Sequence, residues 1–181
     1  MEKFLEFLRV EGCGYTIKNE SVIVLELLAP ISVRFDNIAI PENTDFAGGL
    51  GLADYDDEIQ LPENLKVAVI LDLTCTNTKR LPSNLTIYDD CSVLLDACQF
   101  ENVSYRDNCG RWKRTIFAFW ANDDFLIAAG CFAGTYSEFE ERVNDAYYDD
   151  KDAATEYKRQ AQNCISELAE KLGKPDPFKN Q

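Results

Sequence analysis

Leu-Pro-x-Asn-Leu stands twice in this chain, at 61–65 and at 81–85, twenty positions apart. Ile40-Pro41-Glu42-Asn43-Thr44 aligns with the earlier of the two at an offset of 21. A repeat this short restricts the fold severely. One unit cannot bury its own apolar face, so successive units must stack and share a core. The phase holds beyond the pentapeptide. Phe46 falls on Val67, and Leu50 and Leu52 fall on Leu71 and Leu73. In the next copy Val93 and Leu95 take that role, after two extra residues at Asp89-Asp90. The spacing predicts turns at 40–60, 61–80 and 81–102. Residues 22–39 read as a degenerate fourth turn, with Leu25 and Leu27 as its strand pair.

Each unit combines a short strand, whose alternate residues point inward, with a Pro-Asn corner and a second apolar ridge at Leu65 and Val67 or Leu85 and Ile87. Asparagine suits the corner because its side chain can bond neighbouring backbone groups and stack on the next asparagine. The ends of the stack need covers. Residues 2–10 place Phe4, Leu5, Phe7 and Leu8 at near-helical spacing before Gly12 and Gly14, which predicts a short amphipathic helix for one end. Two strand-like runs then flank a turn at Asn19-Glu20, the second strong from Val22 to Leu28.

Beyond Asn108-Cys109-Gly110 the pattern changes. The aromatic and β-branched runs at 114–120 and 125–132 flank Ala121-Asn122-Asp123-Asp124, which predicts a hairpin with a four-residue turn. Thr135 with Glu138, or Ser137 with Glu140, is a capping-box pattern opening a helix whose face is Phe139, Val143 and Ala146 or Tyr147. A further helix over 152–172 carries Tyr157, Ala161, Cys164, Ile165, Leu168 and Leu172 on one stripe, and Gly173 and Pro175 end it. The tail from Lys174 is expected to be loose. The expected fold is therefore α+β: a short β-solenoid, leucine-rich-repeat-like strand stack over residues 1–110 with its N-terminal cap helix, followed at 111–181 by a β-hairpin and two helices.

The pattern at Leu61, Pro62, Asn64, Leu65, Leu71, Leu73 and Thr76 resembles the leucine-rich-repeat-like arrays of many bacterial and phage proteins. The likeness covers about 63 residues and departs at Thr78, where such arrays usually carry isoleucine. The module after the repeat looks like one that follows such arrays in phage-borne proteins. The resemblance implies a curved strand stack and brings no catalytic residue with it.

Composition narrows the chemistry. There is no histidine among the 181 residues, which excludes Ser-His-Asp triads, Cys-His dyads and histidine metal sites. Seven cysteines without a C-x-x-C read as free thiols in a reducing cytosol, with no metal site and no cofactor. Cys75 and Cys98 are expected to be buried, and Trp112 and Trp120 to seal the repeat against the hairpin. No apolar run approaches a membrane span, and residues 2–10 do not read as an export signal. The net charge of −14 repels nucleic acid and membrane surfaces and favours basic protein partners.

That charge is concentrated. Asp54, Asp56, Asp57 and Glu58 form the densest run. Alternate carboxylates there match the start of a calcium loop, but Ile59 stands where glycine is needed and Leu65 where the closing glutamate belongs. Asp89-Asp90, Asp123-Asp124 and Asp149-Asp150 are further pairs, the last flanked by Tyr147 and Tyr148. The plain alternative for each is a solvated loop. Carboxylates spaced like phosphates, beside tyrosines that imitate bases, would instead occupy a nucleic-acid channel on a partner. The expected function is a non-enzymatic acidic inhibitor from a phage or mobile element, acting in the host cytoplasm on a nucleic-acid-binding enzyme such as a CRISPR nuclease. Reversing charge at Asp54, Asp56, Asp57 and Glu58 should weaken it in a salt-dependent way. The alternative is a scaffolding or adhesion protein using the face of the strand stack. A homodimer through an open strand edge stays open.

Overall fold

The computed structural model describes residues 1–29, 39–55 and 59–179. It is a mixed α+β protein with three α-helices and twelve strands among those residues. Helix α1 (Glu2–Val10) buries Phe4, Phe7 and Leu8, as the spacing predicts. Strands β1 (Tyr15–Lys18) and β2 (Ser21–Val24) pair antiparallel around Asn19 and Glu20. Both turn residues have positive φ, 51° and 66°, the geometry of a tight hairpin turn that follows the twist of the strands.

The repeat then builds two parallel ladders. One contains β3 (Asp45–Phe46), β5 (Lys66–Val67) and β7 (Thr86–Ile87), which extend the β1–β2 hairpin into a five-stranded sheet in the order β1-β2-β3-β5-β7. The other contains β4 (Leu50–Gly51), β6 (Ile70–Leu73) and β8 (Ser92–Leu95). The register matches the sequence alignment residue for residue. Phe46 pairs with Val67 and Val67 with Ile87, while Leu50 pairs with Leu71 and Leu71 with Val93. Leu73 pairs with Leu95, so the extra residues at Asp89-Asp90 are absorbed between β7 and β8. The asparagine corner also forms. Asn84 accepts the Asn64 backbone N–H through Oδ1 at 2.7 Å, and its Nδ2 donates to Asn64 Oδ1. Thr78 is buried, and its hydroxyl donates to the Ile59 carbonyl at 3.3 Å, which satisfies the polar group where an isoleucine is usual.

The fourth turn is phased differently from expectation. Leu25 and Leu27 are exposed, while Val22, Val24 and Leu28 are buried. Strand β2 ends at Val24, and Leu28 makes the bridge to Leu50 that continues the second ladder. The rest of that turn, 30–38, lies outside the described residues.

A four-stranded antiparallel sheet follows, in the order β12-β11-β10-β9: β9 (Ser104–Cys109), β10 (Arg114–Ala121), β11 (Asp124–Ala129) and β12 (Phe132–Thr135). The hairpin turn between β10 and β11 is tighter than expected. Ala121 pairs with Asp124, leaving only Asn122 and Asp123, both with positive φ. The boundary drawn at 110/111 falls inside the β9–β10 hairpin. Alternation along β10 places Phe117, Phe119 and Ala121 against the ladders, and Ile116 and Ala118 against the helices. The sheet thus separates two cores.

Helix α2 (Tyr136–Ala146) opens with the Thr135–Glu138 capping box and buries Phe139 and Val143, with Tyr147 just beyond its end. Helix α3 (Lys151–Leu172) buries Tyr157, Ala161, Cys164, Ile165 and Leu168 of the expected stripe, with Leu172 only partly buried, is capped by Asp150 and ends at Gly173 with a left-handed φ of 64°. Within the tail, residues 174–179 pack back onto the protein rather than standing loose. Phe178 packs edge-on against Tyr136 at 5.0 Å, and the Lys174 ammonium lies 3.6 Å from the Trp120 ring centre. Burial pushes the Cys164 thiol and the Tyr157 phenol each up to about 12. Both groups are neutral in the folded state over a range where the unfolded chain has lost its protons. Stability is therefore expected to fall as pH rises from about 9 towards 12. Denaturant midpoints across that range should show the loss, and Cys164→Ala should flatten it.

Candidate functional site

The described members of the four acidic groupings sit on different connections of the fold: after β4, between β7 and β8, at the β10–β11 turn, and between α2 and α3. Asp54 is exposed, with a φ of 61°, on the flank of the second ladder, and its N–H donates to the Thr74 carbonyl at 3.0 Å. Asp56, Asp57 and Glu58 lie outside the described residues. Asp149 is tied to Arg111 at 2.7 Å, which holds its carboxyl below the ordinary range, and Asp150 accepts the Ala153 N–H as the cap of α3. Asp124 accepts the N–H of Phe125 at 2.7 Å, and Asp123 is an exposed turn residue beside it. The Asp149-Asp150 pair is therefore already engaged locally.

Asp89 and Asp90 stand otherwise. They project from the β7–β8 loop into a cleft of about 360 Å³ whose other wall is α2. Glu138, Glu141 and Asp145 reach the same cleft, and Phe132, Leu126 and Ile87 supply apolar surface. Arg142 is the basic side chain among its lining residues. Its guanidinium lies 4.8 Å from the Phe132 ring centre and 3.9 Å from Asp90. Glu138 Oε2 accepts both the N–H and the hydroxyl of Thr135 at 2.8 Å, which lowers its pKa and keeps it ionised. Tyr88 also lines the cleft; its hydroxyl donates to Asp45 Oδ2 at 2.8 Å, and that bond raises the phenol pKa. The cleft therefore gathers carboxylates from two elements about 50 residues apart in the chain.

The sequence marks Glu138 only as a capping residue and does not single out Glu141 and Asp145. Their spacing marks them as the polar stripe of α2, opposite Phe139 and Val143, but nothing in the pattern says which loop that stripe faces. Nor does the sequence single out Asp72 and Asp96, which with Asp54 surround Cys75. Asp96 accepts the Cys75 N–H at 2.7 Å and, as the largest cause, pushes its thiol pKa up. Cys75 and Cys98 are exposed, against expectation. The backbone of Cys75 is left-handed, with φ at 54°, at a corner past Leu73, so its side chain leaves the inward phase. Trp112 and Trp120 do not seal the ladders either. Trp112 is exposed against Tyr147, and Trp120 packs on Phe125 at the helix side of the sheet. Phe117, Phe119 and Leu126 do the sealing.

Among the described residues no group of His, Cys, Asp and Glu side chains is placed to hold a metal ion, and no helix is long and apolar enough to cross a membrane. The fold and cleft define a mixed α+β protein with a carboxylate-walled groove. No protein family, curated protein or solved structure matches the chain.

Proposed function

We propose that this protein is a non-enzymatic, acidic protein-binding inhibitor whose cleft between the β7–β8 loop and α2 receives a basic surface of a nucleic-acid-binding enzyme. The observation that carries the reading is that Asp89, Asp90, Glu141 and Asp145 line one cleft, in which Arg142 is the basic side chain and lies 3.9 Å from Asp90. Carboxylates held at a shared wall, on a chain of net charge −14, raise the encounter rate with a basic partner and repel nucleic acid. The two parallel ladders, in register at offsets of 20 to 22 residues, support the further reading of residues 40–102, with 22–39 as a degenerate turn, as a short leucine-rich-repeat-like solenoid. On that reading the protein comes from a phage or mobile element, works in the host cytoplasm, and has a CRISPR nuclease as its foremost candidate target.

The test is a titration of purified protein into a panel of nuclease–nucleic acid complexes. Displacement of nucleic acid is expected, weakening steeply between low and high salt because the contacts are charge-dominated. Salt-independent displacement would contradict the charge mechanism. The scaffolding reading predicts instead no displacement from any enzyme, with concentration-dependent association in sedimentation.

A further inference from the structure

The cleft has a feature besides its charge: its back is the open edge of a sheet. Among the described residues strand β12 pairs with β11 alone, and residues 132–135 line the cleft along their whole length. The register runs from Ala129↔Phe132 to Leu126↔Thr135 without a bulge. In an antiparallel pair, residues turn both backbone groups towards the partner strand and away from it alternately. The Thr135 N–H points away from β11, because it donates to Glu138. Ala133, two residues earlier, therefore also presents its N–H and C=O outward, into the cleft. We infer that this edge accepts an extended, lysine- or arginine-bearing segment of the partner protein as a fifth strand.

The occupant follows from charge. A strand added beside β12 sends alternate side chains to opposite faces. On one face they meet Glu141 and Asp145 of α2, and on the other Asp89 and Asp90. Arg142, 4.8 Å from the Phe132 ring centre and 3.9 Å from Asp90, shows that a guanidinium can reach both the apolar floor and a carboxylate here. An acidic or purely apolar strand would leave those carboxylates facing like charge or dry surface. The mode rests on the reading above, that the partner is a basic protein, and adds that main-chain pairing fixes it in place.

The probe is a blocked hexapeptide of alternating lysine and valine, titrated by calorimetry and by the Ala133 amide resonance. Two companion peptides carry N-methyl groups on every second amide, one in each phase. Strand addition predicts that one companion binds at least tenfold more weakly, and that the Ala133 amide shifts with the parent peptide. Ala133→Pro, which removes the outward N–H and leaves the β11 ladder intact, should weaken the parent peptide at least tenfold. Should that variant fail to fold, the methylated pair still decides. Equal affinity for all three peptides, with binding lost on Asp90→Lys and Asp145→Lys, overturns strand addition and keeps acidic capture. Failure of the parent peptide to bind, while a nuclease from the panel binds, also overturns strand addition alone. If neither peptide nor nuclease binds, both readings fall.

Discussion

Leu71→Ala is expected to lower the unfolding free energy by about 2–5 kcal/mol, read as a shifted denaturant midpoint at an unchanged slope. Leu71 is the middle rung of the second ladder, fully buried between Leu50 and Val93. Truncation removes apolar contact on both sides, and the flanking strands are held in parallel register, so the site has little freedom to collapse. Val69, two residues earlier, supplies the contrast. It is 60% exposed, and its φ of 62° is unfavourable for a β-branched side chain. Val69→Gly relieves that strain at some cost in chain entropy, so a change below about 1 kcal/mol is expected there.

Removing the carboxamide of Asn122 should produce the second large effect. Its Oδ1 accepts the Ile87 N–H and its Nδ2 donates to the Ile87 carbonyl, each at 2.9 Å. The carboxamide thus stands where the next strand of the first ladder would be. Asn102 does the same for Leu81, at 3.0 and 2.8 Å. Asn122→Gly tolerates the turn's φ of 55° and removes only the side chain, leaving both Ile87 groups without partners. A loss of about 1–3 kcal/mol is expected, since two hydrogen bonds worth about 0.5–1.5 kcal/mol each are lost at an edge that water can then reach. The opened β7 edge should also make the variant self-associate, which sedimentation velocity across concentrations would reveal. Asn122→Asp keeps the acceptor and loses the donor, so it should fall between the two.

These two sites show what the sequence could and could not reveal. The rungs were legible because parallel in-register stacking makes spatial neighbours of residues one period apart: Leu50, Leu71 and Val93 can be aligned on paper. Asn122 could not be read as a cap, because it lies 35 residues from Ile87 and outside any period. Strands β9 and β12 escaped notice for a related reason. Ser104–Cys109 is polar, and Phe132–Thr135 has glycine and alanine at its centre, so neither carries a strand pattern of its own. Their partners β10 and β11 impose the conformation. In the fourth turn the apolar run from Val22 to Leu28 offered two phases, and the end of β2 at Val24 selected the one that buries Leu28.

The candidate site divides the same way. Asp89-Asp90 was visible as an interruption of the repeat, which is where a departure from architecture points to something else. Its partnership with Glu141 and Asp145 depends on where α2 docks, a tertiary fact with no local signal. Asp149-Asp150 looked equivalent on paper, but Arg111 and the start of α3 take up both carboxylates.

Charge reversal tests the central claim most directly. The quadruple variant Asp89→Lys, Asp90→Lys, Glu141→Lys and Asp145→Lys would be compared with one reversed at Asp123, Asp124 and Asp149, in release of nucleic acid from a nuclease that the unmodified protein inhibits. The account predicts that the cleft variant loses inhibition by at least a hundredfold while the control retains it within about threefold, as expected for several desolvated charge contacts. Equal inhibition by both variants would contradict it.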